Sequence, residues 1–238
     1  MPVVVLSRLN SCWVRRFTRV RLNRHPLGGL ELDALKGVAA KMRISRLEKI
    51  FVNNRRIAEK NIGIVERLFT QVDLGNVKRV LEVGCGIGVV ASHLSEKYQW
   101  DVTGVDLDPE QIEIAKSDHP ENEHLKFFEA DTTELPFEDR EFDLVLSFDV
   151  LHHIPDWDKA LREINRVLRS TGLYLLNDLS LPKFTARIYK DCGVFSADDV
   201  INHLRENGLV IIYAEKSKAN VFARLGRHFS IISQAEAA

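Results

Sequence analysis

Val80-Leu81-Glu82-Val83-Gly84-Cys85-Gly86-Ile87-Gly88 is an apolar run that dissolves into alternating glycines. It reads as a strand entering a tight turn, with a helix from Gly88 to Lys97 behind it. Glycines at 84, 86 and 88 permit positive φ and remove Cβ atoms that would hold a ligand away from the strand end. A dinucleotide-binding turn places its third glycine three residues after the second, and Val89 stands there. No Gly-Lys-Ser/Thr follows, so a P-loop is excluded.

Outward from that stretch, short apolar runs alternate with helical periodicity. Further strands are expected at Arg79 to Val83, Asp101 to Val105, Lys126 to Glu129, Asp143 to Ser147, Leu173 to Asn177 and Leu209 to Ala214, with a last one near Asn220 to Leu225. Helices fit at Pro109 to Ser117, Trp157 to Leu168 and Ala197 to Glu206, the last opened by a capping box of Ser196 and Asp199. Strands alternating with helices predict an α/β fold, a doubly wound and mostly parallel sheet covered on both faces.

Several of these strands deliver a polar group to the same edge, where ligands of open α/β sheets bind. Asp106 closes Val102-Thr103-Gly104-Val105, 22 residues after Gly84, and an acid so placed accepts two ribose hydroxyls. Asp131, after Phe128-Glu129-Ala130, suits an exocyclic amine. Phe142-Asp143-Leu144-Val145-Leu146-Ser147-Phe148-Asp149-Val150-Leu151-His152-His153-Ile154 carries a strand into a pair of histidines. Asp143 starts that strand and is left out of the site.

Together, in this order and spacing, the four elements resemble the class I S-adenosylmethionine-dependent methyltransferases over roughly Val77 to Leu225. The resemblance implies a Rossmann-like seven-stranded sheet whose final strand is antiparallel, and S-adenosyl-L-methionine as cofactor. It implies that Glu82, Gly84, Cys85, Gly86 and Gly88 surround the cofactor's amino-acid part, Asp106 the ribose, and Leu107 with Asp131 and Thr132 the adenine. Ser147 and Phe148 then fall in the loop after the fourth strand, beside the methyl. A sulfonium methyl is already activated, so no metal is required and positioning does most of the work. For a hydroxyl, thiol or acidic carbon a general base helps, and His153 is the candidate, ahead of His152.

Plainer roles compete for several of these residues. His153 can serve as a rim residue bonded to backbone, Cys85 as small packing in the turn, and Trp157 with Leu161, Ile164, Val167 and Leu168 as a core-facing helix. The three cysteines (Cys12, Cys85, Cys192) show neither disulfide-framework nor metal spacing, which favours a reducing compartment and a cytoplasmic protein.

Two modules are expected: a basic helical extension over residues 1–70 and a methyltransferase domain over 71–238. Residues 1–60 carry 14 Lys/Arg against 4 Asp/Glu, although the whole chain nets −1. Leu6, Leu9, Trp13, Phe17 and Val20 line one helical face of the first tract, and a later stripe holds Ile57, Ile64, Val65 and Leu68. Four readings stay open for the basic region: a lid on the domain, docking on an anionic membrane, nucleic-acid binding and an organellar transit peptide. No apolar run reaches the roughly 18–20 residues of a membrane span.

The expected acceptor is a small or lipid-like molecule. Nucleic acid is disfavoured because Ser147-Phe148-Asp149-Val150 stands where base-amine methyltransferases carry Asx-Pro-Pro-aromatic. Leu181 to Val194 is the other segment expected to face substrate. A non-catalytic cofactor-binding module and, further back, a nicotinamide-dependent oxidoreductase are the alternatives.

Overall fold

The computed structural model describes residues 55–180, 192–217 and 227–237, all within one compact unit, Asn53–Ala238. In order these form α1 (Arg55–Phe69), β1 (Arg79–Val83), α2 (Val89–Tyr98), β2 (Asp101–Asp106), α3 (Pro109–Asp118), β3 (Leu125–Glu129), β4 (Phe142–Phe148), a 3-10 turn (Leu151–His153), α4 (Trp157–Val167), β5 (Leu168–Ser180), α5 (Ala197–Glu206), β6 (Leu209–Lys216) and β7 (Arg227–Ala235). The expected helix through Leu6 to Val20, the tract up to about residue 54 and the expected strand at Asn220 to Leu225 lie outside the described residues.

The sheet has seven strands in the order β3-β2-β1-β4-β5-β7-β6. The first five pair in parallel, and β7 runs antiparallel to both β5 and β6. Central strands are apolar on both faces because helices cover both. Leu81, Val83, Val145, Tyr174 and Leu176 pack with Leu161, Ile164 and Val167 of α4 and with Val200 and Leu204 of α5. Their neighbours Val80, Leu144, Leu146, Leu173 and Leu175 face the opposite layer, with Val65 and Leu68 of α1, Val90 and Leu94 of α2 and Ile112 of α3. Each such fully buried aliphatic side chain is worth about 1.5–3 kcal/mol. The edge strand β6 instead alternates half-buried and exposed residues.

Two strands depart from expectation. β5 begins at Leu168, directly from α4, because Leu168 pairs with Phe142 before the register shifts past Asp143. The intervening Arg169-Ser170-Thr171-Gly172 reads as a loop in sequence, and Thr171 indeed takes φ 66. The antiparallel strand is β7, whose buried Ser230 and Ser233 interrupt the apolar run by which it would be recognised.

The opposite end of the sheet is fastened by Asp143. Its Oδ2 accepts from the backbone N–H groups of Lys78 (3.0 Å) and Arg79 (2.8 Å), and its Oδ1 accepts from Arg169 (2.6 Å). Burial pushes this carboxyl up, but the amide of Arg79, the Arg169 guanidinium and the amide of Lys78 outweigh it and hold it below the usual range. The Ser196–Asp199 capping box is present on α5, with both reciprocal bonds made. Among the described residues, no helix is long and apolar enough to cross a membrane.

Candidate active site

The site is the edge of the sheet at the carboxyl ends of β1, β2, β4 and β5. Gly84, Gly86 and Gly88 take φ of 68, 53 and 78. Only part of their freedom serves a ligand. A Cβ on Gly84 would sit 2.1 Å from a methyl of Val150, and one on Gly88 would sit 2.6 Å from the Phe127 ring. Both spaces are already filled by protein, so these two glycines are demanded first by packing. The contact at Gly84 also seats the turn after β1 against the turn after β4.

Glu82 faces this turn from within β1, where it is buried. Burial pushes its carboxyl up to about 8, against a backbone hydrogen bond from Ala91 and with a further push from Asp106. Its Oε2 has no hydrogen-bond partner among the described residues. Asp106, ending β2, accepts from Gly86 N–H at 3.0 Å on Oδ2 and from Asp108 N–H at 2.9 Å on Oδ1. Burial raises it too. A buried acid with an orphaned oxygen and a half-buried acid in electrostatic reach of it make an environment that a cationic ligand discharges.

Leu107 follows Asp106 and is half-buried; Asp108 then caps α3 by accepting from Glu110 N–H. Asp131 is exposed beyond β3, with Oδ1 accepting from the N–H and hydroxyl of Thr133, both at 2.8 Å, while Thr132 is buried beside it. Cys85 is buried, its thiol pushed well up by burial and by the neighbouring Glu82 and Asp106, which disfavours nucleophilic chemistry.

The strand expected over Asp143 to Ser147 holds Ser147, but the loop placement that the resemblance implied for Ser147 and Phe148 requires a correction. They are the last residues of β4 rather than loop residues, and only 1% and 6% exposed. The Ser147 hydroxyl lies 3.1 Å from the buried Tyr174 hydroxyl. The apolar run of β4 simply continues to Phe148, and the turn is made by Asp149 and the 3-10 residues.

That turn holds a group of polar residues that sequence reading largely missed. Asp178, fully buried at the end of β5, accepts on Oδ2 from the N–H groups of Leu151 (2.7 Å) and Val150 (3.1 Å). Its Oδ1 accepts from Leu179 N–H and lies 2.6 Å from Nδ1 of His152. A carboxylate only accepts, so the Nδ1 proton stays on His152. The His153 ring is tilted against that of His152 with centroids 4.0 Å apart, and the backbone N–H of His153 donates to Val150 carbonyl. Asp149 has φ 57, its N–H donates to Asn177 carbonyl, and its Oδ1 lies 3.4 Å from Nδ1 of His228 on β7. Of the expected substrate-facing segment, 181–191 lie outside the described residues, while Gly193 sits on the histidine turn, its N–H donating to His152 carbonyl. A Cβ there would be 2.5 Å from Ile154 carbonyl oxygen. Asp178 had a readable signal: like Asp106 and Asp131, it is an acid at the end of an apolar strand.

Comparison with known proteins agrees with this geometry. Residues 81–176 match the methyltransferase domain family model. The phthiotriol/phenolphthiotriol dimycocerosates methyltransferase of Mycobacterium tuberculosis is 40% identical over 120 residues, 50% of this chain and 44% of that protein. The 27-O-demethylrifamycin SV methyltransferase of Amycolatopsis mediterranei is 32% identical over 169 residues, 64% of this chain and 61% of that one. The chain thus spans roughly half the length of the curated relatives it matches. In fold it resembles the phosphoethanolamine N-methyltransferase 2 of Haemonchus contortus, solved with phosphomonomethylethanolamine and S-adenosylhomocysteine, with a TM-score of 0.67 at 16% identity over 82% of this chain and 58% of that one. Over residues 81–176 the chain is thus similar to the methyltransferase domain family, in the order of elements shared by class I S-adenosylmethionine-dependent methyltransferases.

Proposed function

We propose that this chain transfers the methyl group of S-adenosylmethionine to a hydroxyl of a lipid-like or polyketide-like small molecule. The observation that carries the reading is the shared strand-end edge. On it, the acidic pair Glu82 and Asp106 lies at the glycine turn, and Val150, packed onto Gly84, brings the Asp149–His153 turn alongside. The names of the mycobacterial and Amycolatopsis relatives support such acceptors.

When bound, the cofactor supplies a methyl on a positively charged sulfur, ready for displacement by an aligned nucleophile. In this reading Glu82 meets the cofactor's ammonium with its orphaned oxygen, and Asp106 meets the ribose while its bonds to Gly86 and Asp108 keep the carboxylate in place. Leu107, Asp131 and Thr132 border the adenine. Cys85, Gly86 and Phe148 line the methionine end, whereas Ser147 acts through the strand, its hydroxyl being turned to Tyr174. His153 takes the proton of the acceptor hydroxyl, and His152, fixed by Asp178, holds the ring against which His153 packs.

The test is calorimetric titration with S-adenosylhomocysteine, followed by transfer of labelled methyl from S-adenosylmethionine to octadecane-1,3-diol in mixed micelles. Micromolar binding and labelled diol with stoichiometric S-adenosylhomocysteine are expected. Absence of cofactor binding removes the reading; binding without transfer to any hydroxyl-bearing lipid favours a non-catalytic module. A lipid-like acceptor also motivates the proposal that the Arg-rich segment from Arg8 to Arg24 docks on anionic membrane, which co-sedimentation with phosphatidylglycerol vesicles tests.

A further inference from the structure

Among the described residues near the histidine turn, Asp178 has all its work within the protein, whereas Asp149 does not. Asp178 accepts three backbone N–H groups and sits against His152. Asp149 Oδ1 is sealed from solvent and has no hydrogen-bond partner among the described residues; His228 Nδ1, at 3.4 Å, lacks hydrogen-bond geometry. An acceptor atom left so costs about 1–3 kcal/mol. Asp149 also takes φ 57, a left-handed conformation in which glycine or asparagine costs less. Two local penalties on one side chain need a compensating use, and strain of this kind gathers where a ligand is held.

Its place defines that use. Asp149 is fixed on one side by its N–H bond to Asn177 and on the other by Val150, which is locked onto Gly84 of the cofactor turn. His152 and His153 follow within the same turn, and His228 faces it from β7. We infer that Asp149 is an acceptor-orienting residue: its carboxylate, on a side chain 30% exposed, takes a hydrogen bond from a second hydroxyl of a polyol acceptor, and this aims the neighbouring hydroxyl at the transferable methyl. The inference rests on the methyltransferase reading and narrows its substrate class to acceptors with a second hydroxyl near the methylated one. A hydroxyl is favoured over an ammonium because it must give up a proton, and the half-buried His153 on the same turn and His228, which flanks Asp149, are bases that can take it.

The experiment compares octadecane-1,3-diol with octadecan-1-ol, using the full chain and the variants Asp149→Ala and Asp149→Asn. Losing a hydrogen bond to a charged acceptor predicts that the diol-to-monool ratio of kcat/KM falls in Asp149→Ala by about tenfold to a hundredfold. S-adenosylhomocysteine affinity should stay within about twofold. Independently of any acceptor, Asp149→Asn should raise the melting midpoint of the free protein by a few degrees, because asparagine tolerates the left-handed backbone better and carries its own donor to the orphaned oxygen's place. A lowered midpoint shows that the carboxylate is used internally and overturns the inference, as does an unchanged diol preference in Asp149→Ala or no diol preference in the parent chain. A parent chain that does not bind S-adenosylhomocysteine overturns the methyltransferase reading itself.

Discussion

The strand-end edge has two halves built in opposite ways. The β1–β2 half is assembled from residues close in sequence: one glycine turn, the Glu82 within its strand, and Asp106 holding Gly86 and Asp108 by backbone amides. The β4–β5–β7 half is assembled from distant strands, with Asp178 reaching back 26 residues to His152 and His228 arriving from β7 against Asp149. Local construction makes the half proposed to hold the cofactor, and long-range construction leaves the proposed acceptor half free to change one strand at a time. Val150 on Gly84 is the joint between the halves.

The comparison breaks most severely at Asp178. Asp178→Ala strips three backbone N–H groups and an imidazole of their partner in a sealed place, so a loss of about 3–5 kcal/mol is expected in denaturant unfolding. A loss under 1 kcal/mol would show that the histidine half is not held together by that carboxylate. Gly84→Ala tests the joint: a Cβ at 2.1 Å from Val150 together with a positive φ should cost about 2–4 kcal/mol. The companion Gly84→Ala/Val150→Ala should recover the steric part, leaving the backbone penalty; no recovery would deny the contact.

On the cofactor half, Asp106→Ala should weaken S-adenosylhomocysteine binding by about 1.5–3 kcal/mol in calorimetry, and unchanged affinity would remove Asp106 from the ribose site. Glu82 gives the comparison a pH axis. Its carboxyl is raised to about 8 in the free protein, so the fold loses stability as pH climbs from the ordinary carboxylate range towards 8, and Glu82→Gln should flatten that slope. A cationic ligand favours the ionised form, so affinity for S-adenosylmethionine should increase with pH up to about 8, by at most about tenfold per unit, and then level off. A flat profile would detach Glu82 from the ligand. The smallest effect is expected at Asp143, far from both halves. Asp143→Asn should cost about 1 kcal/mol at neutral pH, a difference that disappears as acid protonates the wild-type carboxyl below the usual range, and cofactor affinity should not change.

How much of this was legible in sequence follows the same division. Alternating glycines after Val80-Leu81-Glu82-Val83, and an acid closing the next strand, specify backbone conformations and edge positions that neighbouring residues alone determine. The helices at Pro109, Trp157 and Ala197 were legible for the same reason, since periodicity and caps are local. Phe148 falls outside the expected strand because an apolar strand does not announce its last residue, and β5 is read short because the loop-like Arg169 to Gly172 separate Leu168, which pairs with Phe142, from the ladder that resumes at Leu173. β7 was hidden by buried serines.

By itself, then, the chain determined the α/β architecture, the glycine turn and the row of acids at strand ends, because periodicity, glycine φ and capping act over a few residues. Only the tertiary structure decided that β5 lies beside β4 and β7 beside β5, and so that Asp178 grips His152 while Asp149 faces His228 without a hydrogen bond. Strand order is settled by the packing of both helical layers at once, and the encounters between side chains from remote strands depend on it.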